Sequence, residues 1–319
     1  MNEAFLAARE AIFNARTIAI AAHENPDGDA YGSILGLGLA LEAAGKSCDL
    51  LADERFPHFS YIPGFSQLQS VDEARRYDLV IRVDLGDVRR MGRGSDVFLT
   101  ARKTLNFDHH MENAHDSDIL IHEPTASSTC EILARFLLDT GFDVPPAAAT
   151  ALYAGLTTDS NRFLYDTADA GTLRTAADLI DHGADKQYVY LYEYQREDPK
   201  LMAFEGDVVR GATFLQDGKV IVANLTHERV AATGYTMPEV EGVVSKLLTL
   251  AGVEVAVILK EQEPERQKIS FRSKSTYDVQ KLAKSLGGGG HQKAAGASLD
   301  MTNDEAWPYL ISILEGLSL

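Results

Sequence analysis

The sequence predicts an α/β protein: a first domain with a mostly parallel sheet flanked by helices, joined by a helical linker to a smaller α+β domain. Three observations predict it. The chain has 319 residues, about two ordinary domains. Short apolar runs alternate with helix-period stretches through the first half, the rhythm of βαβ units. Beyond about residue 195 that rhythm stops and strand runs group with helices instead. The expected boundaries are 1–195 for the first domain, 196–209 for the linker and 210–319 for the second domain.

The elements follow in order. The stretch around Glu3, Arg9 and Glu10 reads as an amphipathic helix, not a signal peptide. Thr17–Ala22 is a buried strand ending at His23. Ala30, Ile34, Leu37 and Leu41 recur at helical spacing, and Gly45 ends that helix. Strands are expected over Ser47–Ala52, Leu79–Val83, Thr104–Phe107 and Ile119–Ile121. Ser128 caps a helix through about Leu138, with Glu131 completing a capping box. Pro145-Pro146 opens another to about Leu156. In the second domain Thr213–Leu215 and Val220–Leu225 read as a hairpin around Gly218. Helices are expected around 226–234 and 239–250, and strands over Val253–Leu259 and Lys268–Arg272. A helix from Asp278, a glycine run at 287–290 and a final helix over about 303–317 complete the chain.

Composition narrows the function classes. Hydrophobic residues are 45% and charged residues 24%, which excludes disorder, collagen and coiled coil as the main architecture. The net charge is −17, from 30 Lys+Arg against 47 Asp+Glu. That balance disfavours a long nucleic-acid track, because such a track needs a broad basic face. Most of this acidity reads as solvated surface charge. Cys48 and Cys130 are the only cysteines and fit a reducing compartment. No apolar run approaches the roughly 20 residues that span a bilayer. A cytoplasmic protein without membrane contact is expected.

Several strand ends carry the same chemistry. The first runs into His23-Glu24-Asn25-Pro26-Asp27-Gly28-Asp29, another into Asp84-Leu85-Gly86-Asp87, another into Asp108-His109-His110. A helix ends in Thr157-Thr158-Asp159-Ser160. Taken singly, each is ordinary turn and cap chemistry. Jointly they are not, because loops do not need histidine, and three of the nine histidines fall in two of these clusters. In open parallel sheets ligands bind beyond the carboxyl ends of the strands, where these clusters would converge. Carboxylate and imidazole without thiolate suit Mn²⁺ or a similar divalent ion better than structural zinc. Asp27 and Asp29 are spaced to serve two neighbouring ions, and a carboxylate such as Asp84 can bridge them. Paired metals suit phosphoester hydrolysis, since they stabilise attacking and leaving oxygens together.

These residues resemble a known family. His23-x3-Asp27-x-Asp29, Val83-Asp84, Asp108-His109-His110 and Thr158-Asp159 resemble the four motifs of the DHH phosphoesterase superfamily. Gly287-Gly288-Gly289-Gly290-His291-Gln292-Lys293-Ala294-Ala295-Gly296 resembles the signature of the DHHA1 domain. The compact layout is similar to the nanoRNase (NrnA-like) type. The resemblance implies two Mn²⁺ ions, one held by His23 and Asp27, the other by Asp29, His109 and Asp159, with Asp84 bridging. It implies that His110 faces the phosphate and that Asp108 orients the histidine pair. Arg272, Ser273, Gly288, Gly289, Gly290 and His291 would hold the terminal nucleotide across an interdomain cleft. The glycine run also reads as a close approach to phosphate, with a helix starting near His291 aiming free N–H groups at it. After Asp159-Ser160 the family pattern has Gly where this chain has Asn161, which tolerates the same turn. Arg162 is a candidate phosphate contact. His58, His115, His122, His182 and His227 are expected to be ordinary surface or core histidines.

The implied activity is hydrolysis of short oligoribonucleotides to mononucleotides, on chains of roughly two to five residues because no extended track is offered. Removal of the 3′-phosphate of pAp goes with it. Relatives acting on pApA or cyclic di-AMP supply an alternative, and a non-catalytic nucleotide sensor supplies another. The pyrophosphatase branch is disfavoured by the Gly287–His291 string, and the single-strand exonuclease branch by chain length and charge. A homodimer is compatible with all of this.

Overall fold

The computed structural model describes residues 2–240, 242–274 and 277–317. The chain forms two compact units, Met1–Arg196 and Glu197–Leu319.

The first unit runs α1 (Glu3–Asn14), β1 (Ile18–Ala21), α2 (Gly28–Ala43), β2 (Cys48–Leu51), β3 (Leu68–Gln69), β4 (Leu79–Val83), α3 (Gly94–Leu99), β5 (Thr104–Asp108), β6 (Ile119–His122), α4 (Thr129–Asp139), α5 (Pro146–Asp159), α6 (Ala170–Asp181) and α7 (Lys186–Tyr194). All six strands are parallel, in the order β3-β2-β1-β4-β5-β6. Both faces are covered, so β1 and β4 are buried throughout and read in sequence as unbroken apolar runs. Arg82 is the exception within β4. It is fully buried, paired to Asp116 at 2.5 Å and stacked over the Phe98 ring at 4.6 Å. The strand order reverses direction between β1 and β4, and their carboxyl ends deliver His23 and Asp84 to that point. This is where an open α/β sheet leaves a crevice for ligands.

Two helices complete the framing. The start of α2 and the end of α5 meet because small residues let their backbones approach. A Cβ on Gly32 would stand 2.7 Å from the Ala151 carbonyl oxygen and 2.9 Å from the Gly155 Cα. Real side chains never come so close, so only glycine allows this packing. Its consequence is that Asp27 and Asp29 come to lie beside Asp159.

The second unit contains α8 (Pro199–Arg210), β7 (Thr213–Leu215), β8 (Val220–Leu225), α9 (His227–Ala231), α10 (Val243–Leu248), β9 (Val255–Glu263), β10 (Arg266–Ser273), α11 (Val279–Ser285), β11 (Gly289–Gly290), β12 (Ala294–Leu299) and α12 (Asn303–Glu315). Its sheet is mixed, in the order β11-β12-β10-β9-β8-β7, with β8–β9 parallel and the other pairs antiparallel. One face packs on α11 and α12, the other on α8 and α10. The stretch expected to link the domains is α8, whose Phe204 and Val208 are buried in this second core. The helix expected over 239–250 is shorter, at Val243–Leu248, and residue 241 lies outside the described residues.

The glycine run corrects an expectation. No helix starts near His291. Gly289–Gly290 and Ala294–Leu299 form an antiparallel hairpin, closed by His291 N–H donating to the Ala294 carbonyl at 2.7 Å. A Cβ on Gly288 would stand 2.1 Å from the Gly296 carbonyl oxygen, and Gly290 has φ +134°. Backbone contact with β12 and a conformation closed to other residues account for these glycines. Among the described residues no helix is long and apolar enough to cross a membrane.

Candidate metal centre

The predicted acidic and histidine residues converge at the carboxyl end of the first sheet. Three overlapping groups form there: His23 with Asp27 and Asp84, Asp29 with His109 and Asp159, and Asp84 with His109 and His110. Asp84 belongs to the first and third groups, and its two oxygens face different ways. Its Oδ2 lies 3.6 Å from His23 Nε2, and its Oδ1 lies 3.5 Å from His109 Nε2. His109 Nε2 is also 3.3 Å from Asp159 Oδ2 and 3.9 Å from Asp29 Oδ2.

Local structure holds each donor. Asp27 caps α2, its Oδ1 accepting from Asp29 N–H at 3.1 Å and Ala30 N–H at 3.0 Å. Asp84 takes a left-handed backbone, φ +57°, just past β4, a strained conformation typical of functional turns. The first turn of α4 grips Asp29, with Thr129 N–H at 2.7 Å and Cys130 N–H at 2.9 Å, one to each carboxylate oxygen. These N–H groups lack helical partners, and the positive end of the helix favours a carboxylate there. The Thr129 hydroxyl donates to Asp84 Oδ1 at 3.2 Å. His23 and His109 turn Nδ1 to the carbonyls of Glu24 at 2.7 Å and Ala126 at 3.3 Å. Donation there leaves both Nε2 lone pairs facing the carboxylates, the arrangement seen in metal-ligating histidines.

The electrostatics call for cations. Burial, with Asp84 and Asp159 close by, pushes the Asp29 carboxyl well above its ordinary range. Burial also lifts Asp159, to about 6, against the opposing charge of His109. Burial alone would lower the His109 pKa, but the Asp84 hydrogen bond and the surrounding carboxylates raise it to about 10. Asp84 itself is held low, because the His109 and His23 contacts outweigh its burial. Four carboxylates with two inward imidazole nitrogens form a donor set that fits divalent cations of intermediate hardness.

Asp108 reaches His110 but not His109. Its Oδ1 accepts from His110 Nδ1 at 2.7 Å and from the His110 backbone at 3.2 Å. The expectation that it orients the histidine pair is therefore corrected: the Ala126 carbonyl orients His109. The Glu131 half of the predicted capping box is also displaced. Ser128 Oγ accepts from Glu131 N–H at 3.0 Å, but the Glu131 carboxylate turns to Ser127 and Thr172. Arg162 is exposed, stacked 5.1 Å from the Tyr194 ring, in a left-handed turn spanning Asn161, Arg162 and Phe163.

In the second unit Arg272 sits on β10 opposite Ala294, and His291 is exposed in the hairpin turn with Gly289 and Gly290 leading into it. Ser273 is buried and its hydroxyl donates to the Tyr277 carbonyl at 2.8 Å, which makes it part of the strand framework. Three residues were not anticipated at the first-unit site. Thr129 holds both Asp29 and Asp84, Asn113 donates to Asp108 at 2.7 Å, and His122 bonds the His110 carbonyl at 2.7 Å. Only Thr129 carried a signal, its place at the start of a capped helix.

The fold and this centre define a class, a metal-dependent protein built on a parallel sheet with carboxylate and imidazole donors at its switch point. The N-terminal domain of the DHH family matches residues 17–156, and the DHHA1 domain matches residues 217–315. The chain belongs to the DHH family of phosphoesterases, in the form that carries a DHHA1 domain. A bifunctional oligoribonuclease and PAP phosphatase NrnA of Thermus thermophilus is 29% identical over 285 residues, covering 88% of this chain and 84% of that protein. The corresponding Bacillus subtilis protein is 28% identical over 292 residues, covering 89% of each. The crystal structure of an exopolyphosphatase-related protein from Bacteroides fragilis superposes with a TM-score of 0.88 at 26% identity, over 98% of this chain and 95% of that one.

Proposed function

We propose that this protein is a phosphoesterase that hydrolyses short oligoribonucleotides to mononucleotides and removes the 3′-phosphate of pAp. The observation that carries the reading is Asp84, one buried carboxylate whose oxygens face His23 on one side and His109 on the other. The names of the Thermus and Bacillus relatives support the substrate class.

Two divalent ions, of which Mn²⁺ suits the donors best, would polarise the phosphate and lower the pKa of an attacking water. His23 and Asp27 would hold one, and Asp29, His109 and Asp159 the other, with Asp84 shared. His110 stands beside this set with its Nδ1 bonded to Asp108. That hydrogen bond raises the His110 pKa over the opposing effect of burial. A charged imidazole stabilises the phosphate oxygens and supplies a proton to the departing oxygen. The first unit then does the chemistry. In the second, Arg272, Gly288, Gly289, Gly290 and His291 bind a terminal nucleotide, Arg272 through its planar guanidinium.

The test is hydrolysis of pApA, pAp and cyclic di-AMP with Mn²⁺, read by chromatography. Mononucleotide from pApA and AMP from pAp support the reading. Absence of hydrolysis of both, with Mn²⁺ bound, contradicts it.

A further inference from the structure

A cavity of about 270 Å³ opens beside the metal centre, at the carboxyl ends of β1 and β2. His23 lines it, which makes it continuous with the His23–Asp84 group. Leu51, Val71 and Met91 give it an apolar lining. Asp53, Glu54 and Arg93 supply its polar groups. Arg93 is already engaged, with Glu73 at 2.6 Å and Asp53 at 3.3 Å. Asp53 also accepts from Val71 N–H at 2.9 Å. Glu54 is different. Its backbone carbonyl accepts from the Tyr31 hydroxyl at 2.8 Å, which fixes the residue in place. Its carboxylate is half-buried and, among the described residues, has no hydrogen-bond or ion-pair partner.

This lining selects a ligand. Arg93, the arginine of this lining, is engaged by two carboxylates and is not free to attract a phosphate. An apolar surface with one free carboxylate suits a neutral ring system carrying hydroxyl donors. The volume matches a nucleoside, and phosphate bound at the adjoining centre would place a sugar within the cavity. In dinucleotide-binding domains of this strand order, an acidic side chain at the end of the second strand binds a ribose 2′-hydroxyl. Glu54 stands at that place, just past β2.

We propose that this cavity binds a ribonucleoside of the substrate and that Glu54 accepts a hydrogen bond from its 2′-hydroxyl, which distinguishes RNA from DNA. The proposal rests on the nucleotide-hydrolase reading and adds a specificity site to it. The test compares kcat/KM for pApA and its all-deoxy counterpart. A half-buried carboxylate acceptor gives a ribo preference of roughly ten- to a hundredfold in the wild type, falling close to unity in Glu54→Ala. Loss of folded protein lowers both rates and leaves their ratio in place. Glu54→Gln keeps the side-chain size and retains part of the preference. Calorimetry with AMP and 2′-deoxyAMP, in the presence of Mn²⁺, makes the same comparison without turnover. Discrimination between these probes that is lost in Glu54→Ala supports the proposal even where pApA is not cleaved, an outcome that counts against the hydrolase reading alone. A wild type that treats ribo and deoxy ligands alike, or a Glu54→Ala variant with the wild-type ratio, overturns it.

Discussion

Thr129→Val isolates the contact that ties α4 to the centre. The change keeps the side chain's shape and removes its hydroxyl, while the backbone N–H that holds Asp29 stays. The lost bond is 3.2 Å long, between a residue with 0% exposure and a carboxylate with 2%. Hydrogen bonds to charged groups contribute about 1.5–3 kcal/mol. Asp84 keeps His23 and His109 as neighbours, which puts the loss near the lower end, about 1.5 kcal/mol. That is close to tenfold in affinity for a divalent ion. In the metal-free protein it lowers Tm by about 3–6 °C for a unit of this size. Competition against a chelating fluorophore reads the affinity, and calorimetric melting reads the stability. Thr129→Ser, which restores the hydroxyl, recovers most of both. A Val variant that binds Mn²⁺ like the wild type would refute the idea that Thr129 orients the shared carboxylate.

Other substitutions test separate parts of the account. His109→Ala lowers metal content, whereas His110→Ala cuts kcat and leaves metal content near wild type, both read by metal analysis beside steady-state rates; equal metal loss in the two shows that their roles are misassigned. His58 bonds Glu193 at 3.0 Å, and that contact raises its pKa despite partial burial. A raised folded-state pKa gives stability that is fully present below about pH 6.5 and is lost as pH rises through the folded value. An NMR titration checks the direction, and Glu193→Gln brings the His58 midpoint back down. Asn161→Ala places a residue without a turn-stabilising side chain at φ +47° and costs about 1 kcal/mol, read by thermal melting against Asn161→Gly, which holds wild-type stability to within about 0.5 kcal/mol.

Much of the first unit is legible because its chemistry follows its pattern. An apolar run that stops at His23, and another that stops at Asp84, mark strand ends where a parallel sheet opens to ligands. Asp27 and Asp29 share a helix start, so their proximity is local. The nearness of Asp159 is not, since it depends on Gly32 and Gly155 letting α2 and α5 touch, which no spacing reveals. Thr129, Asn113 and His122 act through residues distant in sequence or across a loop, and their types are ordinary for caps and turns. The short strands β3 and β11 have two residues each, too few to show an alternation. The helix expected at His291 failed for a related reason: the glycines follow from backbone contact with β12, a partner invisible in a local reading.

The central claim is a shared-carboxylate centre that needs divalent ions for hydrolysis. Its most direct test is a metal count and a rate measured on the same preparation, with Asp84→Asn alongside. The expected result is two Mn²⁺ per chain in the wild type, pApA hydrolysis abolished by EDTA and restored by Mn²⁺, and a loss of about a thousandfold or more in kcat for Asp84→Asn with the fold retained. Full hydrolysis by dialysed protein in excess EDTA, or an Asp84→Asn variant that keeps both ions and its rate, would contradict it.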